Sequence, residues 1–81
     1  MFYVYILQSI DFGTYYIGVT VDIQKRLTQH NYGLAKSTKA KRPWRLVYSR
    51  GFDTLSAGRT FENKLKSIKK RKALEEFIKH F

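Results

Sequence analysis

Apolar residues open the chain as an unbroken block, Phe2-Tyr3-Val4-Tyr5-Ile6-Leu7. The block is β-branched and aromatic and too short for a helix, which predicts a strand buried on both faces and therefore central in its sheet. Turn formers follow at Ser9-Ile10-Asp11-Phe12-Gly13-Thr14. Tyr15-Tyr16-Ile17-Gly18-Val19-Thr20 then reads as a second strand, so the first 20 residues form a hairpin. Gly18 has no side chain to pack and marks either a bulge or a close approach to the backbone. Asp22 is a residue type that caps helices. Ile23, Leu27 and His30 then recur at helical spacing, which predicts a helix over 22–32 ended by Asn31 and Gly33. A Lys-rich loop over 34–43 closes at Pro43, and Trp44-Arg45-Leu46-Val47-Tyr48-Ser49-Arg50 alternates as a half-exposed strand does. Asp53 or Thr54 caps a further helix whose apolar stripe is Leu55, Phe61, Leu65 and Ile68, and Gly58 within it costs about 1 kcal/mol relative to Ala. The basic run Lys69-Lys70-Arg71-Lys72 interrupts the pattern before Leu74, Phe77, Ile78 and Phe81 make a short terminal amphipathic helix.

The order ββαβαα mixes strands and helices as an α+β arrangement, with no βαβ dinucleotide pattern and no Gly-rich phosphate loop. A length of 81 residues suits one domain over 1–81. A chain of this size buries only roughly 60–65% of its unfolded surface, so its pocket is shallow or shared with the ligand. Sixteen Lys and Arg face six Asp and Glu, a formal charge of +10. Such a domain repels itself until a polyanion neutralises it, and nucleic acid is the natural partner. No segment sets a long apolar face beside a basic one, which disfavours a membrane surface. The absence of Cys removes disulfides, thiolate metal sites and thiol nucleophiles. Residues 1–10 are apolar but lack a basic lead and are too short to span a bilayer, so a cytoplasmic location is expected.

Acids are few, and most have ordinary explanations. Asp11 sits in a turn, Asp22 and Asp53 stand at helix starts, and Glu75 and Glu76 lie on the last helix. Glu62 falls mid-helix beside the apolar stripe, among Arg59, Lys64 and Lys66. A surface ion pair would account for it; so would a lone carboxylate kept for a hard cation, since Mg²⁺ often takes one or two carboxylates and retains its waters. Arg26 and His30 are four apart and project from one helix face. Arg can clamp a phosphate through two hydrogen bonds and His can move a proton, although a solvated Arg and a boundary His are the plainer account. Tyr5 and Tyr16 lie on opposite arms of the hairpin, where a plausible register puts both on one sheet face. Core packing would explain either one. Tyr3 and Tyr15 read as structural.

The order of these pieces is more specific than any of them. Tyr-Val-Tyr at 3–5, Tyr-Ile-Gly at 16–18, Asp22-x-x-x-Arg26-Leu27-x-x-His30-Asn31, Pro43-x-x-Leu46-Val47-Tyr48 and a Glu on a later helix follow one another with matching spacing. Together they resemble the GIY-YIG endonuclease domain over essentially the whole chain, most closely its short stand-alone bacterial members and the related branch of structure-specific endonuclease subunits. The resemblance implies a three-stranded antiparallel sheet flanked by helices. It also implies in-line hydrolysis of phosphodiesters with one Mg²⁺ or Mn²⁺ ion, and, from the family alone, a place in DNA repair or recombination. Carried over, Tyr5 is the proton acceptor and Tyr16 positions water or phosphate, the division between them being open at this stage. Arg26 stabilises charge on the scissile phosphate, His30 assists as phosphate ligand or proton relay, and Glu62 ligates the metal. A cationic neighbourhood of Arg26 and metal is expected to lower the Tyr5 pKa from its usual value near ~10. The chain departs from the pattern in three places. Tyr3 replaces the first Gly, Val19 and Thr20 stand where several relatives carry Lys, and no Asn lies beyond the Glu helix.

Backbone contacts are expected from Lys36, Lys39, Lys41, Arg42 and Arg45, and from Lys66, Lys69 and Lys70 in the run 64–72. Lys36 and Lys39 follow the Arg26/His30 helix and could close over substrate. Trp44 reads as core, with base stacking as the alternative. The composition and the motifs together support a metal-dependent endonuclease acting on nucleic acid, DNA first, at branched, nicked or flapped sites. A binding module on the same fold that does not cut, or a subunit that cuts only with a protein partner supplying specificity, is the alternative. A protein-partner adaptor is a third reading, and it predicts an exposed apolar patch and no salt-sensitive binding to DNA. Binding to duplex DNA, followed by fluorescence anisotropy against salt, is expected to weaken with a log–log slope of about 0.9 per phosphate contacted. A slope near zero contradicts the backbone-contact reading.

Overall fold

The computed structural model describes residues 1–81. Strand β1 (Phe2–Ser9), strand β2 (Tyr15–Thr20) and helix α1 (Ile23–Asn31) come first. Strand β3 (Trp44–Phe52), helix α2 (Leu55–Lys66) and helix α3 (Arg71–His80) follow. The sheet order is β2-β1-β3, with β1 central and antiparallel to both neighbours. This is the α+β, three-stranded arrangement expected from the sequence.

The central strand is buried on both faces, and each face has its own core. Val4 and Ile6 pack with Leu65 of α2 and Leu74 of α3, joined by Ile17, Val19, Phe61 and Phe77 among others. Tyr5 and Leu7 point the other way and pack with Trp44, joined by Tyr16 and Leu27 of α1. The pleat sends alternate residues to opposite faces, so α2 and α3 cover one side and α1 covers the other.

Local chemistry sets the boundaries. Asp22 Oδ1 accepts the Lys25 N–H at 3.0 Å and starts α1. Gly33 ends it with φ +79°, donating to His30 O while Leu34 N donates to Gln29 O. Thr54, rather than Asp53, caps α2 by accepting from Ala57 N at 3.1 Å. Three expectations need correction. The 34–43 loop contains a 3-10 turn over Lys39–Lys41. Helix α3 begins at Arg71, so half of the basic run is helical, because its i,i+4 pair Arg71–Glu75 (3.3 Å) supports the first turn. The alternation of β3 also breaks. Ile6 pairs with Tyr48 but Leu7 pairs with Leu46, so Val47 is an extra residue, and Val47 and Tyr48 both pack against the Val4/Ile6 core.

Asn31, at the end of α1, ties that helix to β3. Its Nδ2 donates to Trp44 O at 3.0 Å and its Oδ1 accepts from Trp44 N at 2.6 Å, as a paired strand would. Asn31→Ala leaves both backbone groups of Trp44 without partners, and urea unfolding followed by Trp44 fluorescence is expected to show a loss of about 1–3 kcal/mol.

Candidate active site

Tyr5 sits at the middle of the central strand with Gly18 directly opposite on β2. A Cβ at Gly18 would stand 2.6 Å from the Tyr5 hydroxyl oxygen and 2.8 Å from Cζ. The close approach at Gly18 is therefore made by the Tyr5 ring itself. Tyr16 lies opposite Leu7, which puts it diagonally beside Tyr5 on the same face, with ring centroids 6.3 Å apart.

Helix α1 lays Arg26 and His30 over these rings. The Tyr5 hydroxyl and His30 Nε2 are 3.0 Å apart, and the Tyr16 and His30 ring centroids are 5.0 Å apart. His30 is not the boundary residue that the helical pattern predicts. It is 0% exposed, and its Nδ1 is 2.7 Å from Thr38 Oγ1. Both ring nitrogens are thus engaged inside the protein, which rules out His30 as a phosphate ligand. Burial, and then the charge of Arg26, lower its pKa from the usual 6.5, so the ring is neutral near pH 7.

Arg26 is half-buried, and its Nη1 donates to Gln29 Oε1 at 3.0 Å. Interaction with Tyr5 raises the guanidinium pKa, more strongly than its partial desolvation lowers it. The Tyr5 phenol departs from expectation: burial pushes its pKa above 10.0, and the opposing hydrogen bond and charge of Arg26 do not overcome that. Tyr16 and Glu62 add to the upward shift.

Of the six acidic residues, Glu62 is the one whose charge bears on Tyr5. It lies on α2 with only 13% of its side chain exposed, and its Oε2 is 3.0 Å from Lys66 Nζ one turn on. No group of three or more His, Cys, Asp and Glu occurs in the structure. A closed zinc site is therefore not on offer. One shielded carboxylate does fit a hard cation that completes its shell with water and substrate phosphate oxygens.

The basic residues fall into two groups. Lys36, Lys39, Lys41, Arg42 and Arg45 are all exposed on the segment around buried Thr38, so the Thr38–His30 contact holds that segment beside the tyrosines. Arg42 Nε is engaged with Lys39 O and Arg45 Nη2 with Gln8 Oε1. Lys66, Lys69 and Lys70 lie around the α2–α3 junction, where Lys66 is paired with Glu62. Trp44 is buried and donates its indole N–H to Thr38 O at 2.9 Å, which leaves its ring in the core rather than free for a base. None of the four surface hollows includes Tyr5, Arg26, His30 or Glu62. Tyr5 and His30 are buried, while Tyr16, Arg26 and Glu62 are half-buried around them. Thr38 and Gln29 escaped the sequence pattern, since nothing in a lone Thr between lysines or a helical Gln marks a contact made across the fold.

The sequence profile of the GIY-YIG catalytic domain matches residues 1–75. The chain belongs to the GIY-YIG family. A UPF0213 protein of Streptococcus pneumoniae is 44% identical over 77 residues, covering 94% of this chain and 76% of that one. Another from Staphylococcus saprophyticus is 42% identical over 74 residues, covering 90% and 89%. The solution NMR structure of a UPF0213 protein of Bacillus halodurans superposes with a TM-score of 0.61 at 33% identity, covering 98% of this chain and 84% of that one. GIY-YIG membership implies a nuclease-type function and a nucleic-acid substrate. No helix is long and apolar enough to cross a membrane.

Neutral, buried His30 makes stability depend on acid. As pH falls below 6.5 the unfolded chain takes up the proton first, so stability present above that value is lost as pH drops through the lowered folded-state pKa. The Tm of the wild type is expected to fall between about pH 7.5 and 5.5, and His30→Gln is expected to flatten that dependence. Equal slopes for the two proteins contradict a neutral His30.

Proposed function

We propose that this chain is a divalent-metal-dependent endonuclease that hydrolyses phosphodiester bonds in DNA, at branched, nicked or flapped structures. The observation that carries the reading is the juxtaposition of Tyr5 with a buried neutral imidazole, a guanidinium and one shielded carboxylate. These are the parts that in-line attack on a phosphate requires: a proton acceptor, a route for the proton, and positive charge where negative charge develops.

Tyr5 takes a proton from the attacking water while its own hydroxyl proton passes to His30 Nε2, 3.0 Å away. Hydroxide oxygen bonds to phosphorus, and the opposite P–O bond breaks with its electron pair on the leaving oxygen. The raised Tyr5 pKa keeps the phenol protonated at rest and makes it a strong base at the moment its proton moves to His30. Arg26, held by Gln29, faces the phosphate and stabilises the charge that builds on its equatorial oxygens. Tyr16 positions water or phosphate. Glu62 would hold Mg²⁺ or Mn²⁺, and the ion would supply Lewis-acid polarisation of the phosphate when bound. The exposed lysines and arginines at 36, 39, 41, 42, 45, 66, 69 and 70 hold the nucleic-acid backbone.

One observation favours a second reading, a binding module or a subunit that cuts only with a partner. Lys66 already neutralises Glu62, and the ammonium must give way before a cation can bind. A cleavage assay decides between the two, at low salt with Mg²⁺ and then Mn²⁺, on duplex, single-stranded, flapped and four-way-junction DNA and on single-stranded RNA. Wild type is expected to cut, and Glu62→Ala to lose cutting by about 10²-fold or more while binding persists. Salt-sensitive binding by a wild type that never cuts rejects the stand-alone enzyme.

A further inference from the structure

The direction of the proton path depends on which nitrogen of His30 carries its hydrogen, and the buried hydrogen bonds determine that. Buried polar hydrogens are nearly always given to an acceptor. Tyr5 is 2% exposed, and the one hydrogen bond of its hydroxyl is with His30 Nε2 at 3.0 Å, beside the Arg26 guanidinium, which can only donate. The Tyr5 proton therefore goes to a bare Nε2. A neutral ring with bare Nε2 carries its hydrogen on Nδ1, and that hydrogen points at Thr38 Oγ1, 2.7 Å away. With its oxygen accepting from the ring, Thr38 sends its own hydroxyl hydrogen to Ala35 O at 3.3 Å. In this arrangement each donor in the chain Tyr5–His30–Thr38–Ala35 has an acceptor. With the ring in the other tautomer, Nε2–H would face the Tyr5 oxygen, and the Tyr5 hydrogen would lose the one acceptor it has.

We infer that Thr38 is a positioning residue that fixes His30 in the Nδ1–H tautomer and so leaves Nε2 open to receive the Tyr5 proton. Its role rests on the proposed use of Tyr5 as proton acceptor. Thr38 is built for this. It is 1% exposed, its N–H donates to Ala35 O at 3.1 Å, and its carbonyl accepts from Trp44 Nε1 at 2.9 Å and from Lys41 N at 3.3 Å. Trp44 is in turn clamped by Asn31, one residue from His30 on α1. The backbone that carries the hydroxyl is thus tied through Trp44 to the helix that carries the ring. When the proton arrives, Nδ1–H remains bonded to Thr38 Oγ1, so the imidazolium keeps the contact that the neutral ring had.

The test is the imidazole spectrum of ¹⁵N-labelled full-length protein near neutral pH, with His80→Gln used to assign the two histidines. Wild-type His30 is expected to show the pattern of a protonated Nδ1 and a bare Nε2. Thr38→Val removes the acceptor but keeps the shape, and is expected to shift His30 toward Nε2–H; Thr38→Ser is expected to restore the wild-type pattern. Single-turnover cleavage by Thr38→Val is expected to fall by about 10²-fold, with Thr38→Ser close to wild type and DNA affinity unchanged in both. An Nε2–H pattern in the wild type overturns the proposal without any variant, so a misfolded Val protein would not shelter it. An unaltered Nδ1–H pattern in a folded Thr38→Val protein overturns it as well. A wild type that cuts no substrate would reject the nuclease reading, while a tautomer that switches in Thr38→Val would still support control of His30 by Thr38.

Discussion

The central strand has to satisfy two cores at once, and the placement of the site follows from that. Val4 and Ile6 belong to the core under α2 and α3, whereas Tyr5 and Leu7 belong to the core under α1. A slip of one residue in the pairing of β1 would exchange the two sets and put phenol oxygens into the aliphatic core. The register is held by the burial of residues that have no part in the chemistry, and Tyr5 inherits that rigidity. Gly18 is the complement of the constraint, because in this register its missing side chain is the space the Tyr5 ring occupies.

Opposing electrostatic effects meet at the same point. The domain carries a formal charge of +10, yet the group at its centre is a neutral phenol held against a neutral imidazole. Burial wins over Arg26 at Tyr5, and burial and Arg26 act together at His30. Both groups therefore rest uncharged, because burial penalises the charged form of each. The exposed cations around Thr38 and at the α2–α3 junction stay outside this apolar centre, where they can meet phosphates without distorting it. Glu62 shares the arrangement, shielded from water and neutralised by Lys66.

The sequence by itself determined the element order, the centrality of β1 and the family. Apolar blocks, Gly and Asp punctuation and the spacing of Tyr5, Tyr16, Arg26, His30 and Glu62 are local signals, written in consecutive residues and in helical or strand period. They succeed for Asp22 and Gly33, and narrow the α2 cap to Asp53 or Thr54, because a cap is decided within a few residues of the chain. They miss the bulge at Val47, since an extra residue is visible only against the partner strand that β1 provides. They also miss the depth of His30, which a helical stripe places at a boundary and the loop over residues 34–43 then covers. Only the tertiary structure decided that Thr38 meets His30, that Asn31 clamps Trp44, and that burial outweighs Arg26 at Tyr5. Each of these is a contact or a desolvation produced by packing between segments. Its energy depends on what surrounds a group in space, and no run of neighbouring residues encodes that.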